Sequence, residues 1–106
     1  MAFRRVMAEG ELWLGELAAR VVDGKKVALL RVAEGVFAYE DRCAHMAVPI
    51  SEGKLEGTTL TCSAHHYQYD ACSGRGVNPK NVCLTAYAVK LEDGGVWVDV
   101  TQARRA

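Results

Sequence analysis

With 106 residues, half of them apolar, the chain can bury one core, is too short for two, and is too apolar to stay disordered. Thirteen basic residues balance thirteen acidic ones, which argues against nucleic acid as a partner, because a polyanion selects basic faces. No run approaches the roughly 18–20 apolar residues of a membrane span and no signal-peptide core follows Arg4 and Arg5, so the expectation is a cytoplasmic chain without a membrane partner, its thiols reduced.

Residues 10–19 offer the only helical turn, and a weak one. Asp23-Gly24 between two apolar runs predicts a hairpin. Residues 26–32 and 36–39 are rich in β-formers and are separated by a turn at Ala33, Glu34 and Gly35. Residues 58–62 and 67–70 read as two further short strands. Tyr87, Val89 and Leu91 alternate with Ala86, Ala88 and Lys90, the period-two pattern of a half-buried strand. Asp93-Gly94-Gly95 then turns the chain into Val96, Val98 and Val100, which alternate with Trp97 and Asp99. Residues 102–106 look like a loose tail. The sum predicts an all-β fold, one domain over residues 1–106. It has an antiparallel β-sandwich or barrel base, with a loop-rich insertion over about residues 41–81. A long loop region inside a compact domain usually carries function.

That insertion holds Cys43 and His45 as C-x-H, then, after residues 46–61, Cys62 and His65 as C-x-x-H. Each half presents one thiolate and one imidazole on a tight turn, so two facing loops can clamp a two-metal object. A single structural zinc is the competing use of such a donor set. Finger-type zinc sites, however, pair cysteine with cysteine and histidine with histidine. His66 stands one residue too far from Cys62 to share the spacing of the pair. Cys72, in the turn-rich segment 70–76, is expected near the surface. Cys83, at a strand start before Leu84, is expected as a small buried hydrophobe.

The pattern resembles that of Rieske [2Fe–2S] proteins, in which one iron takes two cysteine sulfurs and the other two histidine nitrogens. The resemblance implies a Rieske fold and one [2Fe–2S] cluster per chain, bound by Cys43, His45, Cys62 and His65. Two ferric ions and two sulfides sum to plus two. Two thiolates with two neutral imidazoles therefore leave the oxidised cluster neutral, where four thiolates would leave a dianion. A neutral cluster accepts an electron more readily, and Rieske potentials span roughly −150 to +300 mV against about −400 mV for plant-type clusters. Respiratory Rieske proteins bridge their two cluster loops with an extra cysteine in each. Here Met46, Ala47 and Val48, and Ser63 and Ala64, contain none, so packing and hydrogen bonds must hold the loops. Tyr69 lies where a phenol bonds a ligand sulfur in high-potential members, and Tyr67 stands where those members use serine.

Longer stretches resemble the ferredoxin component of bacterial toluene monooxygenase systems, over about residues 3–100. They include Trp13-Leu14-Gly15-Glu16, Ile50-Ser51-Glu52-Gly53 and Gly76-Val77-Asn78-Pro79. Dioxygenase ferredoxins read C-P-x-H-G at the second ligand pair, whereas this chain reads Cys62-Ser63-Ala64-His65-His66. The resemblance implies a monomeric electron carrier that is not catalytic alone. An NADH-dependent flavin and iron–sulfur reductase would reduce it. It would pass single electrons to the diiron hydroxylase of an aromatic or alkene monooxygenase. No glycine-rich dinucleotide fingerprint is present. Val48, Pro49, His66, Tyr67 and Pro79 are expected to form the rim around the histidines. A dioxygenase ferredoxin and a Rieske-like nitrite reductase subunit remain as alternatives.

Overall fold

The computed structural model describes residues 3–42, 48–63, 67–78 and 80–105. Among them run ten strands: β1 (Arg4–Ala8), β2 (Leu17–Val22), β3 (Lys25–Val32), β4 (Gly35–Glu40), β5 (Lys54–Glu56), β6 (Thr59–Thr61), β7 (Gln68–Asp70), β8 (Gly76–Asn78), β9 (Thr85–Glu92) and β10 (Gly95–Arg105). Six form an antiparallel sheet in the order β1-β10-β9-β4-β3-β2. Its outer strands β1 and β2 approach each other, so the sheet curls into a nearly closed barrel. The other four make a small sheet, β5-β6-β7-β8, drawn wholly from the chain between β4 and β9. Among the described residues no helix is long and apolar enough to cross a membrane.

The expected hairpins form for a local reason. Asp23 and Gly24 have φ of 49° and 81°, and Asp93 and Gly94 have 52° and 71°. Two consecutive positive-φ residues make the turn whose twist matches that of the strands it joins, and Asp-Gly tolerates it at low cost.

β3 explains how the two sheets meet. Val27 and Leu29 point into the barrel with Val22, Val36, Ala38, Tyr87, Val96 and Val98. Ala28, Leu30 and Val32 point the other way, onto Ile50, Leu60, Tyr69 and Leu84 of the intervening segment. A strand buried on both faces reads as an apolar run, as Val27 to Leu30 do. Burying Leu30 fully contributes about 1.5–3 kcal/mol.

Three sequence expectations are corrected. Residues 102–105 are not a tail: β10 continues, with Ala103 opposite Tyr87 and Arg104 opposite Ala86. Ladder hydrogen bonds belong to the backbone, and the side chains of Gln102, Ala103 and Arg104 are exposed, so polarity there carried no warning. Asp99, expected on the outer face, is fully buried at a bulge. There its carboxylate accepts from Thr101 N at 2.9 Å, Thr101 Oγ1 at 2.6 Å and Gln102 Nε2 at 2.8 Å. These bonds satisfy the oxygens where the ladder is interrupted. The helical turn expected in 10–19 shrinks to one 3-10 turn at Glu9–Glu11, because β2 claims the chain from Leu17.

Candidate metal centre

Cys43, His45 and His65 lie outside the described residues, as do His66 and Pro79. What the structure does place is the neck of each segment in which the sequence expects a ligand pair. At the end of β4, Asp41 N donates to Lys26 O at 3.0 Å, fixing the residue against β3. Its carboxylate Oδ1 accepts from Ser51 N at 2.8 Å and Oδ2 accepts from Ser51 Oγ at 2.7 Å. Asp41 is buried, so this two-point bond ties the end of β4 to Ser51 in a partly desolvated setting. Ser51 is held in turn by the 3-10 turn Ile50–Glu52, anchored by the fully buried Ile50.

The second neck belongs to Cys62. This residue follows β6, and its N–H donates to Tyr67 O at 2.7 Å, tying the end of β6 to the start of β7. Cys62 is fully buried in the cluster that contains Ile50, Leu60 and Tyr69, with Tyr67 packed against it. The two necks also touch. β5 pairs with β6, Lys54 opposite Thr61, and Gly53 lies so close that an added β-carbon would collide with the Thr61 carbonyl oxygen. The same β-carbon would press on the Ile50 carbonyl oxygen at 3.0 Å. Only glycine permits this approach, immediately before Cys62.

Beneath the necks lies a floor of two tyrosines. Tyr69 is fully buried on β7, and Tyr39 on β4 donates its hydroxyl to the Ala71 carbonyl at 2.6 Å. Burial pushes the Tyr39 phenol far above its ordinary pKa, and the negative charges of Cys72 and Asp70 add to this. Burial also raises Tyr87, with Glu40 adding. A groove of about 850 Å³ between Phe37, Tyr39, Cys72, Tyr87 and Arg104 includes neither neck.

Cys72 and Cys83 are both half-buried, so Cys83 is less enclosed than expected and the fully buried neighbour is Leu84. Cys83 sits in a bridge with Arg75. Cys72 forms no disulfide, and burial, then Glu34 and Asp70, push its thiol pKa up. Among the described residues no three His, Cys, Asp or Glu side chains gather as a metal site. The donor types in the sequence nevertheless fit an iron–sulfur cluster: two cysteines and two histidines, with Cys62 on a buried apolar floor. Sequence reasoning missed Asp41 and Ser51. Their signal was only an aspartate two residues before Cys43, and a serine inside the stretch Ile50-Ser51-Glu52-Gly53.

The family model for the Rieske [2Fe-2S] domain matches residues 2–88. The chain belongs to this family. As a Rieske ferredoxin it carries one [2Fe–2S] cluster and moves electrons, without converting a substrate itself. It is similar to the ferredoxin component of the alkene monooxygenase system of Xanthobacter autotrophicus, at 37% identity over 94 residues, covering 88% of this chain and 77% of that one. It is also similar to the ferredoxin component of the naphthalene 1,2-dioxygenase system of Pseudomonas aeruginosa, at 33% identity, covering 82% and 85%. Among solved structures, one from the complex of reduced oxygenase and oxidized ferredoxin in carbazole 1,9a-dioxygenase superposes with a TM-score of 0.82. Its identity is 29%, and 91% of each chain is covered.

Proposed function

We propose that this Rieske ferredoxin delivers electrons to the diiron hydroxylase of a multicomponent aromatic or alkene monooxygenase. Cys43 and Cys62 hold one iron and His45 and His65 the other, within one domain spanning residues 1–106. The cluster takes up and releases one electron at a time. The chain's own residues supply the setting. Cys62 stands on the apolar floor of Leu60, Ile50 and Tyr69, which excludes water from the cysteine side. Tyr67, Val48 and Pro49 are half-buried, as rim residues of a transient contact would be. The 37% identity to an alkene monooxygenase ferredoxin carries the choice of acceptor. It agrees with the toluene-monooxygenase-like sequence around Cys62. The donor is an NADH-dependent reductase, and the carrier works as a monomer in the cytoplasm.

A second reading, a ferredoxin for a Rieske dioxygenase, is favoured by the naphthalene dioxygenase relative at 33% identity. Stopped-flow reoxidation separates the two. Reduced ferredoxin is mixed with a purified diiron hydroxylase or with a Rieske oxygenase, each from the same genome. Fast, saturable reoxidation by the diiron protein is expected. Faster reoxidation by the Rieske oxygenase would reverse the assignment.

A further inference from the structure

We propose that Asp41, Ser51 and Gly53 are positioning residues for the iron–sulfur centre, forming a non-covalent suture that holds the two ligand-bearing loops in register. The inference rests on the ligand assignment above and adds the means by which this chain keeps the ligands together. The loops lack the paired cysteines that could link them covalently. In their place runs a continuous set of short contacts. Lys26 of the barrel holds Asp41 through the backbone, and Asp41 grips Ser51 at two points, 2.8 and 2.7 Å. Ser51 lies in the turn that Gly53 closes by donating to Ile50 O at 2.9 Å. Gly53 packs against the Thr61 carbonyl, and Thr61 precedes Cys62, whose own N–H is tied to Tyr67 O at 2.7 Å. The path begins two residues before Cys43, ends at Cys62, and takes only the short way between them.

Two features mark the suture as more than ordinary packing. A buried carboxylate is costly unless its oxygens are satisfied, and here both accept from one residue, so Asp41 and Ser51 are fixed as a pair. Gly53 has φ of −81°, which any residue can adopt, so its requirement is the approach to Thr61 and not backbone conformation. Loosening either point lets one loop shift against the other. A cluster held half by each loop should register that shift in its lifetime and electronic structure, with the barrel intact.

The test uses holoprotein of wild type and of Asp41→Ala, Ser51→Ala, Ser51→Thr, Gly53→Ala and Leu29→Ala. Three quantities are read: cluster release to an iron chelator well below the melting temperature, the EPR line shape of the reduced state, and the melting temperature. Loss of a charge-assisted hydrogen bond corresponds to roughly tenfold or more in an equilibrium. Asp41→Ala should therefore release the cluster about tenfold faster and broaden the EPR spectrum. Ser51→Ala and Gly53→Ala should follow in the same direction, and Ser51→Thr, which keeps the hydroxyl, should restore slow release. Leu29→Ala cuts the barrel core on its far face and should lower the melting temperature while leaving release and line shape unchanged. Wild-type release in both Asp41→Ala and Ser51→Ala would overturn the suture. So would equal acceleration in Leu29→Ala, which would assign the effect to general destabilisation. If Asp41→Ala does not accumulate as holoprotein, Ser51→Ala against Ser51→Thr decides. Wild-type protein that binds no iron and sulfide would instead refute the ligand assignment.

Discussion

Tyr39→Phe removes a single oxygen from the seam where the small sheet rests on the barrel. The hydroxyl donates to the Ala71 carbonyl at 2.6 Å in a site where Tyr39 is 1% exposed and Ala71 is fully buried. Its loss leaves that carbonyl without the Tyr39 donor, at a cost of about 1–3 kcal/mol. For a domain of this size each kcal/mol moves the melting temperature by roughly 4–8 °C, so a fall of about 4–24 °C is expected at neutral pH. The alkaline range gives a second, signed test. Burial raises the native phenol well above the unfolded value of about 10, so the native state keeps its proton where the unfolded chain has lost it. The contribution of Tyr39 is therefore complete below pH 10 and declines as pH rises from there toward the native pKa. Against the phenylalanine variant, which lacks this group, the wild-type advantage should shrink by roughly 1.4 kcal/mol per pH unit in that interval. Urea denaturation of both proteins at pH 7.5, 10 and 11 measures it. A difference below about 0.5 kcal/mol at pH 7.5, or one unchanged between pH 10 and 11, would refute the reasoning.

Replacing Cys43 or Cys62 by serine should abolish visible absorbance from the cluster, whereas Cys72→Ser and Cys83→Ser should keep it; an absorption spectrum of each purified variant checks this. Leu30→Ala, on the β3 face that carries the small sheet, should cost about 2–5 kcal/mol in denaturant unfolding. Iodoacetamide should modify Cys72 in the folded protein more slowly at pH 8 than it modifies free cysteine, because the raised pKa keeps the thiol protonated. Peptide mass spectrometry over time would show it, and an equal rate would contradict it.

Much of the barrel was legible because its signals are local. Asp-Gly turns and alternating apolar residues specify β2 to β4 and β9 to β10 within a few residues of where they form. The proposed ligand pairs, Cys43/His45 and Cys62/His65, rest likewise on short spacings, and of the four the structure describes Cys62. Three things were not legible. β1, β5 and β8 are too short or too polar to carry a pattern. The polar end of β10 is held by its ladder with β9, which side-chain type does not report. Asp41 and Ser51 meet only because the chain folds back through an anchored turn, and a residue in contact with one ten positions away leaves no periodic trace.

Iron and acid-labile sulfide analysis combined with pulsed EPR of the reduced, purified chain tests the central claim most directly. About two irons and two sulfides per chain are expected, with hyperfine coupling from two imidazole nitrogens that disappears on replacing His45 or His65. One bound zinc without sulfide, or a cluster showing no nitrogen coupling, would contradict it.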